Sequence, residues 1–406
     1  MKTRSLAIIA SALMLCACGQ QEEEVPAINV ITSASSESVT SAVTVTEAVT
    51  TTAETEPPPP AEATVSFTAL GDNLIHSSIY KQAARRAEAD PEKDYDFAFA
   101  YEGVADLLDN ADITILNQET LICGDDYAPS TYPCFNSPEE LGFYMNELGI
   151  DVFTIANNHT LDKGETGLED CLTYYDENGF VRVGAYHNAE DRSNIRVIEK
   201  NGVKISFLCY TESLNGLSLS GKTDLEIGRT QDMELIKSEI AAAKEISDIC
   251  VVSLHWGLEN SGEVEAYQRD AAKVLAEAGA DAIIGNHPHV LREIEILETS
   301  DGRRTLCAYS LGNFISAQSV GTNLIGGILN FDITVSLDGS GRTVIDNMEF
   351  IPIVTHYDSN YSNIRLYKLS DYSPELAEAH GVRVNSKFSY DYIIEYLTSK
   401  NLYEKN

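Results

Sequence analysis

Five short polar clusters carry most of the residues in this chain that could do chemistry: Gly71-Asp72, Asn117-Gln118-Glu119, Asn157-Asn158-His159, His255-Trp256-Gly257 and His287-Pro288-His289. Four of the eight histidines fall in them, and a fifth, His76, lies four residues past Asp72. Imidazole combined with carboxylate and amide oxygen suits zinc, manganese or iron, whereas calcium and magnesium want oxygen alone. Each cluster follows an apolar, strand-like run: Val65–Leu70, Ile113–Leu116, Val152–Ala156, Ile249–Leu254 and Ala282–Gly285. Loops that follow the strands of an open α/β sheet share one crevice, so side chains distant in sequence can converge there.

Taken singly, a histidine at a strand end is most often a hydrogen-bonded structural residue, and an Asn or Asp there is a turn former or helix cap. Turn chemistry has no need of histidine. Its recurrence after separate apolar runs therefore points to one shared metal site.

Helical patterns alternate with the strands, over Pro138–Leu148, Glu165–Glu177, Asp232–Ile246 and Val264–Gly279. Asn201-Gly202 separates two alternating runs between Ile195 and Tyr210 and predicts a tight hairpin. A second hairpin is expected between Ile325 and Ile353, around Asp338-Gly339-Ser340-Gly341, and an amphipathic helix over Tyr390–Thr398. The fold class is therefore α/β with added antiparallel hairpins.

The N-terminus reads as an export address. Lys2 and Arg4 precede an apolar stretch from Leu6 to Leu15, and Leu15-Cys16-Ala17-Cys18 resembles a bacterial lipobox. Residues 1–17 are expected to be a lipoprotein signal peptide and Cys18 the lipidated residue, which places the protein on the extracytoplasmic face of the cell membrane, lipid-anchored. The apolar stretch is about half the roughly 20 residues that a transmembrane helix needs. Residues 18–63 are rich in Thr, Glu and Pro, contain no Lys or Arg and end near Pro57–Pro60, the composition of a disordered stalk. Residues 64–370 are expected to form the main domain and 371–406 a C-terminal helical extension.

Formal net charge is −35, from 63 acidic and 28 basic residues. Such a chain repels nucleic acid, and it can hold an acidic polymer only where positive charge is concentrated, as at a metal ion. Of the six cysteines beyond Cys18, Cys123 and Cys134 flank a Gly-, Asp-, Pro- and Ser-rich loop and are expected to form a disulfide in an exported protein.

The ordered motifs GDNLIH from Gly71, NQET from Asn117, ANNHTLDKGETGL from Ala156, HWGLE from His255, GNHPHV from Gly285 and YSLGNF from Tyr309 closely resemble the CapA family. That family is associated with poly-γ-glutamate capsule synthesis and has a fold similar to calcineurin-like metallophosphoesterases. The resemblance covers roughly Thr64 to Phe314 and implies a layered sandwich of central sheets flanked by helices. It also implies one or two divalent transition metals: Asp72 and His289 would hold one, with His76 as a further ligand. Asn158, His255 and His287 would hold the other, and Glu119 would touch both. His159 would act as general acid with Asp162 orienting its ring. Asn117, Glu259 and Asn313 would line the site. Two positions depart from the phosphoesterase pattern: Leu74 stands where its first motif has His, and Glu119 where its bridging residue is Asp.

Three functions follow from this reading. The first is work on an acidic capsule polymer such as poly-γ-glutamate, in its synthesis, export or retention, beside the membrane proteins of capsule synthesis. The second is metal-dependent hydrolysis of phosphoesters or of amide or γ-glutamyl bonds. The third is polymer binding by a degenerate, non-catalytic site.

Overall fold

The computed structural model describes residues 62–124, 126–384 and 387–403. Cys18, the signal segment and the stalk up to residue 61 lie outside the described residues. Glu62 and Ala63, read above as the end of the stalk, pair with Ser336 and Val335 in the first strand, so β structure begins two residues earlier than the composition suggests.

The first half of the chain contributes β1 (Glu62–Asn73), β2 (Ile113–Gln118), β3 (Val152–Thr154), β4 (Val181–Val183), β5 (Ala185–Tyr186), β6 (Arg196–Lys200) and β7 (Val203–Thr211). The second half contributes β8 (Glu226–Ile227), β9 (Ile249–His255), β10 (Ala282–Asn286), β11 (Ile294–Glu298), β12 (Arg304–Ala308), β13 (Asn313–Ile315), β14 (Ile325–Ser336), β15 (Thr343–Asp358) and β16 (Ser362–Lys368). The helices are α1 (Ser77–Ala87), α2 (Ala98–Tyr101), α3 (Glu140–Glu147), α4 (Gly164–Glu177), α5 (Ala189–Ser193), α6 (Met233–Ile246), α7 (Ala266–Ala278), α8 (Pro374–Ala379) and α9 (Tyr390–Ser399).

One sheet runs β16-β15-β14-β1-β2-β3-β4, with β13 added beside the end of β1, and the other runs β11-β12-β10-β9-β7-β6. Alternation along the second sheet sends its side chains into two different cores. Ile249 and Val251 of β9, Ala282 and Ile284 of β10 and Leu306 and Ala308 of β12 join the core that includes β1 and β2 of the first sheet. Their neighbours Cys250, Val252, Leu254, Ile283 and Cys307 face Ile236, Ile240, Ala272 and Leu275 of α6 and α7. The helix–sheet–sheet layering follows from that alternation. Across β1 and β14, Phe67 and Phe331 stack at 5.0 Å, and each buried ring of this kind contributes on the order of 2 kcal/mol.

Local signals set the element ends. Asp232 caps α6 by accepting from Leu235 N at 3.0 Å. Glu265 and Gln268 form a reciprocal capping box at the start of α7, and Gly279, at φ 124°, closes its end. The β6–β7 hairpin turns at Asn201 and Gly202, both at positive φ, as the Asn-Gly pair requires. The segment after Asp371 is no separate appendage: Tyr372, Ala377, Phe388, Ile393 and Leu397 are buried in the main core. Tyr396 of α9 accepts from Leu291 N at 3.0 Å, two residues past His289. Among the described residues, no helix is long and apolar enough to cross a membrane.

Cys123 and Cys134 are unbonded. Cys123 is buried beside Cys171 and Gly167, while Cys134 is exposed on the turn. The expected disulfide is replaced by hydrogen bonds that close the same loop: Ser130 and Asn136 bridge, and Cys123 N donates to Asn136 Oδ1 at 3.0 Å.

Candidate metal centre

The crevice expected along one sheet is bounded by two. Asp72, Asn117 and Glu119 come from the ends of β1 and β2, and the Asn157–His159 turn follows β3 in the same sheet. His255 and the His287–His289 loop end β9 and β10 of the other sheet. Close approach at this end depends on glycine, since a Cβ on Gly71 would stand 2.0 Å from Gly312 O. The contact lets Asp72 N donate to that carbonyl at 3.0 Å, which fixes the direction of the Asp72 side chain. Beyond β10 the backbone takes positive φ at His287 (97°) and at His289 (59°), on either side of Pro288. Such conformations persist only where the surroundings hold them, and they concentrate at functional sites.

Two candidate ligand groups meet here, Asp72–Glu119–His289 and Glu119–His255–His287, with ligand atoms inside 4.8 Å of one another and Glu119 common to both. Glu119 is fully buried, and neither of its carboxylate oxygens accepts a hydrogen bond. His255 Nε2 and His289 Nε2 each lie 3.7 Å from its Oε1. An isolated buried carboxylate is strongly unfavourable unless something positive stands beside it. His255 Nε2 is also 3.0 Å from His287 Nδ1 and 2.9 Å from Asn158 Oδ1, so two further donors converge. Those separations are near the roughly 3–3.5 Å expected between ligands that share one ion at about 2.1 Å.

Surrounding bonds orient this set. His289 Nδ1 stands 3.1 Å from Asp72 Oδ2 and 3.0 Å from Asn313 Oδ1, two acceptors that place the hydrogen on Nδ1 and leave Nε2 toward Glu119. Asn117 Nδ2 donates to Asp72 Oδ1 at 2.7 Å and stands 3.3 Å from His255 Nδ1. Burial raises the Glu119 carboxyl well above the ordinary range, and Asp72 adds to this while His289 opposes it. Burial and the neighbouring His287 and His289 push His255 well down. Burial and His289 likewise lower His287 to about 4. His289 goes the other way: burial lowers it, but Glu119 and Asp72 outweigh burial and raise it to about 10. Two buried carboxyls, Asp72 and Glu119, thus face His289 across the centre, and a divalent ion held by the same donors would favour their charged forms. The residues present fit divalent metal.

His159 Nδ1 lies 2.8 Å from Asp162 Oδ2, and its Nε2 faces Glu119 Oε1 at 4.0 Å. Asp162 caps no helix; its Oδ2 also accepts from Phe135 N at 2.6 Å. Phe135 stacks edge-on to His159 at 4.7 Å.

His76 does not join either ligand group. It precedes α1, and its Nδ1 is engaged by the backbone, 3.2 Å from Ala317 N and 3.2 Å from Leu74 O. Leu74 is buried. Glu259 is exposed at the rim, near enough to Glu119 and His289 to act on them through its charge. Three contributors were not singled out from sequence. Asn215, at positive φ in the loop after β7, accepts from Asn158 Nδ2 at 3.3 Å. Phe135 lies in the loop read only for its cysteines. Arg292, fully buried, bonds Leu258 O, Ser261 O, Glu265 and Gln268 and so ties down the segment after His255-Trp256-Gly257. Asn215-Gly216 carries a turn signal in the sequence, whereas nothing local marks Arg292 as buried.

The chain is thus a layered α/β domain with two imidazole–carboxylate groups sharing one glutamate at the strand ends of both sheets. The chain belongs to the family described as bacterial capsule synthesis protein PGA_cap, whose profile it matches over residues 66–318. It is 32% identical over 219 residues to the PGA biosynthesis protein CapA of Bacillus subtilis, covering 53% of this chain and 56% of that one. It is 31% identical over 187 residues to the capsule biosynthesis protein CapA of Bacillus anthracis, covering 45% and 44%. The chain thus spans about half the length of these curated relatives. Among solved structures, the NAD nucleotidase of Haemophilus influenzae is similar at a TM-score of 0.41 and 14% identity, over 84% of this chain and 61% of that one.

Proposed function

We propose that the chain acts on an acidic capsule polymer of the poly-γ-glutamate type, in its synthesis, export or retention, through a metal-dependent hydrolytic or transfer centre. The observation that carries this reading is Glu119, a buried carboxylate without a hydrogen bond, shared by two groups of ligands. Membership of the capsule synthesis family and the names of its Bacillus relatives support the polymer. Asp72, Glu119 and His289 would hold one metal; Glu119, His255 and His287, joined by Asn158, would hold the other. Bound there, zinc, manganese or iron polarises an anionic or carbonyl ligand and makes water a better nucleophile near neutral pH.

The protein's own groups do the rest. Asp162 fixes the His159 ring through Nδ1, which leaves Nε2 to pass a proton to a leaving group above Glu119. Phe135 and the Asn158–Asn215 contact keep that ring and the amide in place. Lipidation at Cys18 would hold the domain at the extracytoplasmic face of the membrane, beside the membrane proteins of capsule synthesis.

Leu74, where the phosphoesterase pattern has a ligand-position His, favours a second reading in which the ions dock carboxylates and no bond breaks. A screen of γ-glutamyl peptides and phosphoesters with Mn- or Zn-loaded protein separates the two. Turnover lost in Glu119→Gln supports catalysis; retained metal with no turnover supports docking.

A further inference from the structure

From Asn73 to Ala87 the chain has no Asp or Glu, although 63 of its 406 residues are acidic, and this span carries Lys81, Arg85 and Arg86. Helical spacing puts Lys81 and Arg85 on one face of α1, and both are exposed. Arg86 turns away over the Phe99 ring at 3.4 Å. Other cations of the domain, such as Arg182, Arg192 and Lys368, are paired with carboxylates. The side chains of Lys81 and Arg85 have neither an ion pair nor a hydrogen bond among the described residues. With His76, Thr131, Asn360 and Tyr361 they line a cavity of about 420 Å³.

This cavity adjoins the metal centre. His76, on its wall, packs edge-on to Phe135 at 5.4 Å, and the same ring packs against His159 at 4.7 Å. Ser77 N donates to Thr131 Oγ1 at 3.1 Å, which holds the Phe135 loop against the start of α1.

We propose that the cavity between α1 and the Asn360–Ser362 turn is an anion subsite, in which Lys81 and Arg85 hold a carboxylate of an acidic chain engaged at the metal centre. The proposal rests on the polymer reading above. A protein of net charge −35 repels a polyanion over most of its surface. Two unpaired cations four residues apart, in a span without acids, reverse that sign locally. Arg85 presents a planar fork that suits a carboxylate, and Lys81 adds a point charge. A phosphate group would be recognised by the same chemistry, so the test includes both.

The experiment measures binding of a γ-linked glutamate oligomer, and separately of inorganic phosphate, to metal-loaded full-length protein and to the Lys81→Ala/Arg85→Ala variant. Both positions are exposed, and metal content and the unfolding midpoint serve as controls that should not move. The expected result is oligomer affinity about tenfold weaker in the variant at low salt, as loss of charged hydrogen bonds worth about 1.4 kcal/mol would give, with the difference shrinking as salt rises. A Lys81→Arg variant should bind like the wild type. Equal oligomer affinity in wild type and double variant overturns the subsite and leaves the polymer reading standing. No oligomer binding by the wild type overturns both. Phosphate binding that depends on Lys81 and Arg85, without oligomer binding, assigns the cavity to a phosphate-bearing ligand and overturns the carboxylate assignment.

Discussion

Glu119 Oε1 and His255 Nε2 lie 3.7 Å apart, at the ends of strands from two different sheets, with no hydrogen bond to satisfy the carboxylate. The packing of the two sheets creates that relationship, and a cation is what would make it favourable. His289 Nε2 stands at the same distance from that oxygen, and Asp72 and His287 complete the two groups that share Glu119.

His159→Ala should leave metal content unchanged and slow turnover by about 10²–10⁴-fold, the usual contribution of a general acid. Asp162→Asn should give a smaller loss, because it keeps a polar partner for the ring and for Phe135 N. Metal analysis beside single-turnover rates checks both, and a metal loss in His159→Ala would make that residue a ligand.

Arg292→Met should destabilise the domain by about 1–3 kcal/mol, since it leaves the buried Gln268 amide oxygen and the half-buried Ser261 carbonyl and Glu265 without their donor. Urea unfolding measures it. A change below about 1 kcal/mol would mean that the segment after Gly257 is held by other contacts.

His380 supplies a pH dependence away from the metal ligands. Its Nε2 is bonded to Thr355 O, and Val382 N donates to its Nδ1, an arrangement only the neutral ring satisfies. Burial lowers its pKa to about 4, against the opposing Thr355 bond. Between about 4 and the ordinary value near 6.5 the unfolded chain binds the proton and the folded chain does not, so stability falls as pH drops through that window. The loss reaches ~3 kcal/mol for this group. His380→Gln should show a shallower decline than the wild type in denaturant titrations at pH 7, 5.5 and 4.5; parallel curves would place the proton uptake elsewhere.

The convergence of the candidate groups was legible because metal chemistry restricts residue type and the strand ends fix position: Asp72, Glu119, His255, His287 and His289 all follow apolar runs in the sequence and lie together in the fold. The strand-like run Ile249–Leu254 was equally visible, but which core each side chain enters depends on a second sheet that no local pattern announces. His76 misled because sequence proximity to Asp72 says nothing of the turn that sends its Nδ1 to Ala317 and Leu74. The Cys123–Cys134 pairing failed for a similar reason, since loop composition cannot tell that Cys123 is buried beside Cys171. Arg292 and Asn215 act through tertiary contacts to segments distant in sequence.

The most direct test of the shared-glutamate centre is the metal content of wild type and Glu119→Gln after loading with Mn or Zn and desalting. Two ligand groups with one common carboxylate predict up to two ions per chain in the wild type and at most one in the variant. They also predict a metal-induced stabilisation of roughly 2–3 kcal/mol at about a hundredfold excess over Kd, largely absent in Glu119→Gln. Wild-type protein that keeps neither ion, or a variant that keeps as much as the wild type, would contradict the account.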